Sequence, residues 1–304
     1  MLGTGGMMPM PMRLTTSVLV RREGRALMLD AGEGIQLSLK RGGLGICNLD
    51  AVAISHLHAD HVLGLPGVMM FRNQCPDPGE LAIIGPPGLE RFVRHTLDDL
   101  RYRVDYPLSF IEWKPGSSRR AWSWRGCSLL WDELDHSTFC LGYRLEEPQR
   151  PGRFSPDRAR ELGVPTGPDW GRLQSGEVVE LDDGRTVRPE QVLGPPRRGR
   201  IAVFATDTRP CPGLDRLLEN ADIAFVEGMF CERNAEEARQ KKHMTAREAA
   251  LAAARAKAER IILVHLSPRN TRDDETILRN EAREVFAESE VARDLYSYEI
   301  KLPD

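Results

Sequence analysis

The stretch Leu49-Asp50-Ala51-Val52-Ala53-Ile54-Ser55, followed by His56-Leu57-His58-Ala59-Asp60-His61, decides how this chain of 304 residues is read. Its first part is an apolar, β-type run that delivers His56 at the strand's C-terminal end. The hexapeptide then offers four polar donors in a row of six residues. A single histidine after a strand is ordinarily a satisfied polar residue. Here the whole chain holds seven histidines and three of them fall in this hexapeptide, so chance is a poor account. Histidines two apart can face one metal ion from an extended turn, while Asp60 and His61 emerge as a helix begins and can face another. Imidazole and carboxylate without thiolate suit zinc in a catalytic role, with a position left open for water.

Outward from this stretch, strands and helices alternate. Thr15–Arg21 and Ala26–Asp30 are short strands, the second running into Asp30-Ala31-Gly32-Glu33-Gly34. Val62–Arg72 reads as a helix interrupted at Gly64 and Pro66, Leu81–Ile84 as a strand and Pro87–Leu100 as a helix, on which His95 is taken as structural. Cys127–Leu134 is a strand leading into Asp135-His136. Arg200–Thr206 ends at Asp207, Ala221–Val226 at Glu227 and Arg260–Val264 at His265. Thr245–Arg260 is Ala-rich and helical, with Thr245 and Glu248 spaced as a capping box. This alternation places the fold in the α/β class. His136, Asp207 and His265 stand, like His56, just after strands, where the loops of neighbouring strands gather side chains on one sheet edge. Asp207 is a candidate bridging carboxylate for two metals roughly 3.5–4 Å apart.

Composition narrows the classes. The hydrophobic fraction is 41%, and no apolar run approaches the roughly 18–20 residues of a membrane span. With no basic leader or signal-type core, a cytoplasmic protein is expected. The six cysteines contain no C-x-x-C pair and read as reduced, mostly buried thiols. A net charge of −3 does not mark a nucleic-acid binder. The basic clusters Arg197-Arg198-Gly199-Arg200, Arg101-Tyr102-Arg103, Arg119-Arg120 and Lys241-Lys242-His243 read singly as solvated faces. Residues 148–200 are dense in Pro and Gly and poor in long apolar runs. They read as an insertion projecting from the core with little core of its own, a disordered linker being the alternative.

The motif H-x-H-x-D-H resembles the hallmark of the metallo-β-lactamase superfamily, and the chain is similar to its ribonuclease Z branch along nearly its whole length. The likeness runs from Leu2-Gly3-Thr4-Gly5 through Leu29–Gly34 and Ser55–His61 to Gly64-Leu65-Pro66-Gly67 and Ile84–Gly88. It continues in His136-Ser137, Gly142-Tyr143-Arg144, Thr206–Pro210, the Glu227 and His243 regions and Val264–Ser267. Thr206 stands where the family often has Gly, Val226-Glu227-Gly228-Met229 where it often has H-E-A-T, and His243-Met244-Thr245 in place of H-S-T. The resemblance implies a single-domain αββα sandwich over 1–304 binding two zinc ions. His56, His58 and His136 would hold one, and Asp60, His61 and His265 the other, with Asp207 between them. Within residues 148–200, Val164–Leu173 and Leu181–Arg185 resemble the flexible arm with which that family clamps precursor tRNA, usually across a homodimer. Gly167-Pro168 would form its tip.

The implied activity is removal of the 3′ trailer from precursor tRNA by attack of activated water on a phosphodiester. Asp60 would accept a proton from that water, and His243, oriented by Glu227, would give one to the leaving oxygen. Arg209 and Arg269 are candidate phosphate contacts, a structural salt bridge being equally consistent for each. A small-molecule metallohydrolase on the same centre, such as a cyclic nucleotide phosphodiesterase, is the second reading. A non-catalytic RNA-binding relative is the third.

Overall fold

The structure, a computed structural model, describes residues 1–117 and 121–303, so the Arg119-Arg120 cluster lies outside the described residues. The chain divides into two compact units, one of Met1–Leu145 with Ile201–Ile300 and one of Glu146–Arg200 with the last residues from Lys301.

The first unit is built on two sheets. One carries β1 (Val18–Arg22), β2 (Arg25–Leu29), β3 (Leu49–Ala53), β4 (Leu81–Gly85) and β5 (Leu108–Glu112) in sequential order. β1 and β2 form a hairpin, and the pairs from β2 to β5 are parallel. The second sheet begins with β6 (Trp122–Trp124), β7 (Cys127–Leu134) and β8 (Cys140–Glu146). After the short strands β9 (Val179–Glu180) and β10 (Thr186–Val187) of the insertion, it resumes with β11 (Ile201–Ala205), β12 (Ile223–Glu227), β13 (Ile261–Val264) and β14 (Ser289–Val291). The order is β14-β13-β12-β11-β8-β7-β6, with the pairs from β11 to β14 parallel.

Successive side chains of a strand point to opposite faces, and parallel strands are covered on both. The apolar runs sort accordingly. Ala51 and Ala53 of β3, Ile223 and Phe225 of β12, and Ile262 and Val264 of β13 share one core with Trp113, Trp131 and Tyr143. Their neighbours Ala224, Val226, Ile261 and Leu263 pack instead under the helices Pro212–Leu218, Ala246–Arg255 and Arg272–Arg283. Val52, Ile54, Leu81 and Ile83 pack under Ile35–Arg41, Leu65–Arg72 and Leu89–Asp99. Helices therefore cover each sheet's outer face and the inner faces meet, which is the αββα layering expected.

Local signals resolve into elements with shifted ends. Thr245 caps its helix as expected, in a reciprocal capping box with Glu248, but the helix stops at Arg255 rather than Arg260. The expected helix from Val62 is two pieces, Ala59–Val62 and Leu65–Arg72. Pro66 falls in the first turn of the second piece, where its missing N–H costs nothing, so it starts a helix instead of interrupting one.

Two expectations need correction. The cysteines are not all thiols: Cys47 and Cys75 form a disulfide, with Cα atoms 5.5 Å apart, while Cys127, Cys140, Cys211 and Cys231 are thiols. The bonded pair is 28 positions apart in sequence, with a strand and two helices between, and their folding, not close spacing, brings the sulfurs together. Residues 148–200 are not poor in core either. Besides β9 and β10 they form the helices Pro156–Glu161, Pro168–Gln174 and Pro189–Val192 around buried Ala159, Val164, Leu173, Val179, Val187 and Val192. The apolar residues of this small core are isolated in sequence, which hides them from a search for long runs. Gly167 and Pro168 are the N-cap and first residue of the middle helix. No helix among the described residues is long and apolar enough to cross a membrane.

Gly64, between the two helical pieces after the histidine motif, tests how tightly this region is packed. A Cβ there would lie 1.9 Å from the Gly32 carbonyl oxygen. Gly64→Ala is expected to destabilise the protein by about 2 kcal/mol or more through forced backbone displacement. Gly171→Ala, in a helix with nothing within 4 Å, should change stability by less than about 1 kcal/mol, in the favourable direction. Urea unfolding of both variants checks the contrast.

Candidate metal centre

The C-terminal ends of five strands converge on one group of side chains. β2 leads to Asp30, β3 to His56, β11 to Asp207 and β13 to His265, and Asp135-His136 follows β7. At three of these ends the backbone turns through the left-handed region, with φ of 56° at Asp30, 42° at Asp207 and 57° at His265. That conformation costs a non-glycine residue of the order of 1–3 kcal/mol and persists only where surroundings over-determine it. Each of the three is also fully or almost fully buried.

The donor atoms fall into overlapping sets. Those of His56, His58, His136 and Asp207 lie within 4.8 Å of one another, as do those of Asp60, His61 and His265. Asp207 faces both sets: its Oδ2 is 3.7 Å from His56 Nε2 and from His136 Nε2, and its Oδ1 is 3.4 Å from His61 Nε2 and 3.2 Å from His265 Nε2. A third set, Asp207, His243 and His265, overlaps these.

Whether such a group fits a cation depends on the nitrogens turned outward. His61 Nδ1 donates to Asp30 Oδ2 at 2.7 Å, which leaves the Nε2 lone pair turned inward. His136 Nδ1 donates to the Lys242 carbonyl at 3.2 Å, with the same result. His56 Nδ1 lies 3.0 Å from Ser55 Oγ, and that hydroxyl is itself 2.7 Å from Asp30 Oδ2. Inward nitrogens then crowd: His56 Nε2 and His58 Nδ1 are 3.0 Å apart, and His61 Nε2 and His265 Nε2 3.3 Å. Lone pairs brought this close, with the rings of His56, His61 and His136 fixed by outward hydrogen bonds, fit a cation between them. Imidazole and carboxylate oxygen with no thiolate are the donors of a divalent metal site.

Electrostatics agree. Burial, then the neighbouring His61, hold His56 well below the ordinary histidine value, and burial, then His136, lower His58, so both are neutral donors. Burial works against charge on Asp60 and Asp207, yet the surrounding histidines win and keep both carboxylates ionised far below their usual range. Burial pushes Asp30 up and opposes charge on His61, while Asp207 and Asp30 raise His61 well above its ordinary value. The same carboxylates favour a second proton on His61 Nε2, which a bound cation would displace while Nδ1 goes on donating to Asp30.

His243 lies beside this group, its ring 5.2 Å from that of His136 and 5.3 Å from that of His265. Its Nδ1 is 3.1 Å from Glu227 Oε2, and Glu227, fully buried at the end of β12, also accepts from the backbone N–H groups of Thr208 and Met244. Burial disfavours the imidazolium, but Glu227 outweighs it and His243 is pushed up to about 9.

The structure thus gathers His56, His58, Asp60, His61, His136, Asp207 and His265, with His243 and Glu227 alongside. It places other candidates elsewhere. Arg209 is half-buried and paired with Glu248, and donates to the His243 carbonyl at 2.6 Å, so it braces the His243 loop. Arg269 is exposed, 3.4 Å from Glu237. Gly167 and Pro168 belong to the second unit. Sequence reasoning assigned no role to Asp30, although it too follows a strand, the signal used for the other residues. Thr206, in the place of a common Gly, is buried and donates to Asp207 Oδ1 at 2.6 Å, so its hydroxyl orients that carboxylate.

Comparison with known proteins places these features. Residues 179–266 match the family described as beta-lactamase superfamily domain, and residues 1–135 that described as anti-Pycsar protein Apyc1. The chain is 41% identical over 304 residues to ribonuclease Z of Treponema denticola, covering 100% of this chain and 98% of that one. It is 39% identical over 305 residues to ribonuclease Z of Haloferax volcanii, covering 100% and 95%. Among solved structures, the short form of human tRNase Z superposes with a TM-score of 0.71 at 20% identity, over 99% of this chain and 98% of the other.

If the Asp30 carboxylate sets the His61 tautomer, removing its charge should weaken metal binding without touching a donor. Asp30→Asn is expected to lower metal affinity about 10- to 100-fold, the usual effect of losing such an outer partner. Competition with a chromogenic chelator measures it, and unchanged affinity would assign Asp30 to the fold alone.

Proposed function

This chain belongs to the ribonuclease Z family, and we propose that it is a zinc enzyme removing the 3′ trailer from precursor tRNA. Family members are hydrolytic endoribonucleases of the metallo-β-lactamase fold, acting on phosphodiester bonds. The observation that carries the reading to particular residues is the convergence of seven donor side chains, with Asp207 facing both sets.

In this reading His56, His58 and His136 would hold one zinc and Asp60, His61 and His265 a second, with Asp207 a donor available to both. Bound zinc would supply Lewis acidity, lowering the pKa of water and taking up charge on a phosphoryl oxygen. The protein's own groups move the protons. The contacts of Asp60 with the Met7 N–H, His61 and His265 converge on Oδ2, and Oδ1 is the atom we assign to accept a proton from the attacking water. With Nδ1 of His243 held by Glu227, Nε2 is the nitrogen to donate to the departing 3′-oxygen. Arg209 keeps that loop in place through Glu248 and the His243 carbonyl.

Residues 148–200 are assigned the grip on tRNA. They hold ten arginines against eight acidic residues, so the grip rests on placed guanidiniums more than on net charge. Gly167 and Pro168 fix the start of one helix there, and exposed Arg269 is a further phosphate contact. The chain is taken to act as a cytoplasmic homodimer.

Two experiments test these roles. His243→Ala should reduce kcat on precursor tRNA about 100-fold or more with metal content unchanged. On bis(p-nitrophenyl) phosphate, whose leaving group needs little protonation, the loss should be much smaller. Equal losses would make His243 a supporting residue. Replacing Gly152–Glu190 by a short Gly/Ser linker should spare metal binding and hydrolysis of the small diester, and raise KM for precursor tRNA. A full-length protein that ignores precursor tRNA but hydrolyses cyclic AMP would instead favour a small-molecule phosphodiesterase.

A further inference from the structure

Four of the chain's ten methionines stand within Met7-Met8-Pro9-Met10-Pro11-Met12. Their exposures are 53%, 51%, 37% and 87% for Met7, Met8, Met10 and Met12, against a strong tendency of methionine to be buried. The loop is nevertheless firmly held. At its base the N–H groups of Thr4 and Gly5 donate to the Leu14 carbonyl at 3.0 and 2.9 Å, and Gly6 donates to the Leu266 carbonyl at 2.9 Å. Met10 and Arg13 exchange backbone hydrogen bonds at 2.7 and 3.0 Å. The Arg13 guanidinium pairs with Glu275 at 2.6 Å, and Asp294 accepts from Thr4 Oγ1 and from the Leu14 N–H, each at 2.6 Å. Pro9 and Pro11 fix two further backbone torsions.

This anchored loop lies against the metal centre. The Met7 N–H donates to Asp60 Oδ2 at 2.6 Å, and a Cβ on Gly6 would sit 2.7 Å from the His265 ring. Its chemistry is selective. From Gly5 to Met12 there is no charged side chain, and Arg13 is engaged by Glu275, so the tip is not equipped to hold phosphate by charge. It presents thioethers, which are polarisable and make favourable contacts with aromatic rings. Beside a centre that cuts RNA, the aromatic groups within reach are bases. Unpaired RNA bases are recognised by stacking, which tolerates sequence because every base has a π-face.

We propose that Met7, Met8, Met10 and Met12 form a stacking surface for the unpaired nucleotides flanking the scissile phosphate on the Asp60–His265 side. This rests on the ribonuclease reading above. The loop acts as a positioning element: its rigid stem keeps soft apolar groups at a fixed place beside the metals, so that a base laid on them brings its phosphate to the centre.

The test uses the full-length protein with all four methionines changed to alanine, beside a second variant with all four changed to leucine. Substrates are a precursor tRNA and the same RNA with abasic residues on both sides of the cleavage site. Metal content and thermal unfolding establish that both variants are folded. The alanine variant should raise KM for the intact substrate about tenfold, within the range of base-stacking losses, with kcat changed far less. Leucine should restore part of that loss. On the abasic RNA, wild type should show the raised KM and the alanine variant no further rise. The salt dependence of KM should keep its slope, because no phosphate contact is lost. A KM within about twofold of wild type on the intact RNA, or the same rise on the abasic RNA, would overturn the proposal. If wild type itself leaves precursor tRNA uncut, the ribonuclease reading fails first and this one falls with it; cleavage by wild type with no effect of the methionines removes the proposal alone.

Discussion

The carboxylate of Asp207 is the contact on which the rest of the centre depends. One oxygen faces His56 and His136, the other His61 and His265, so a single side chain ties donors from β3, the loop after β7 and the end of β13 into one group. It holds that place at a cost, since its backbone adopts a left-handed conformation at φ 42° while almost fully buried. The Thr206 hydroxyl supplies one fixed donor to it. Bringing several imidazoles together without a carboxylate between them would accumulate unfavourable charge as soon as any was protonated. With Asp207 and Asp60 ionised, the same crowding becomes a site for a divalent cation.

The fold supplies the precision. Strand ends from both sheets supply the group, and the backbone turns through the left-handed region at Asp30, Asp207 and His265, where those strands give way to the centre. Behind them, outward hydrogen bonds choose tautomers: Asp30 for His61, the Lys242 carbonyl for His136, Ser55 for His56 and Glu227 for His243. Close packing excludes slack. Gly6 and Gly64 are present where a Cβ would collide with the His265 ring and the Gly32 backbone. Strain, tautomer choice and packing thus act on the same few atoms, as expected where a site is preorganised.

Much of this was legible in the sequence because the informative residues are local. The hexapeptide at 56–61 and the apolar runs ending at Asp207, Glu227 and His265 need only periodicity to be read. The features that escaped depend on tertiary geometry. The Cys47–Cys75 bond joins residues separated by a strand and two helices. The small core of residues 148–200 is assembled from single apolar residues on short elements. Arg209 looks like a phosphate ligand until Glu248, thirty-nine residues away, is found beside it. Asp30 was visible as a strand-end carboxylate, but nothing local reveals that His61 turns a nitrogen toward it.

The central claim is that these donors hold two metals with Asp207 between them, and anomalous diffraction at the zinc absorption edge tests it directly. Crystals of protein purified without chelator should show two peaks on opposite sides of the Asp207 carboxylate, roughly 3.5–4 Å apart, one among His56, His58 and His136 and the other among Asp60, His61 and His265. A single peak among Asp207, His243 and His265, or no peak in protein that cleaves RNA, would contradict it.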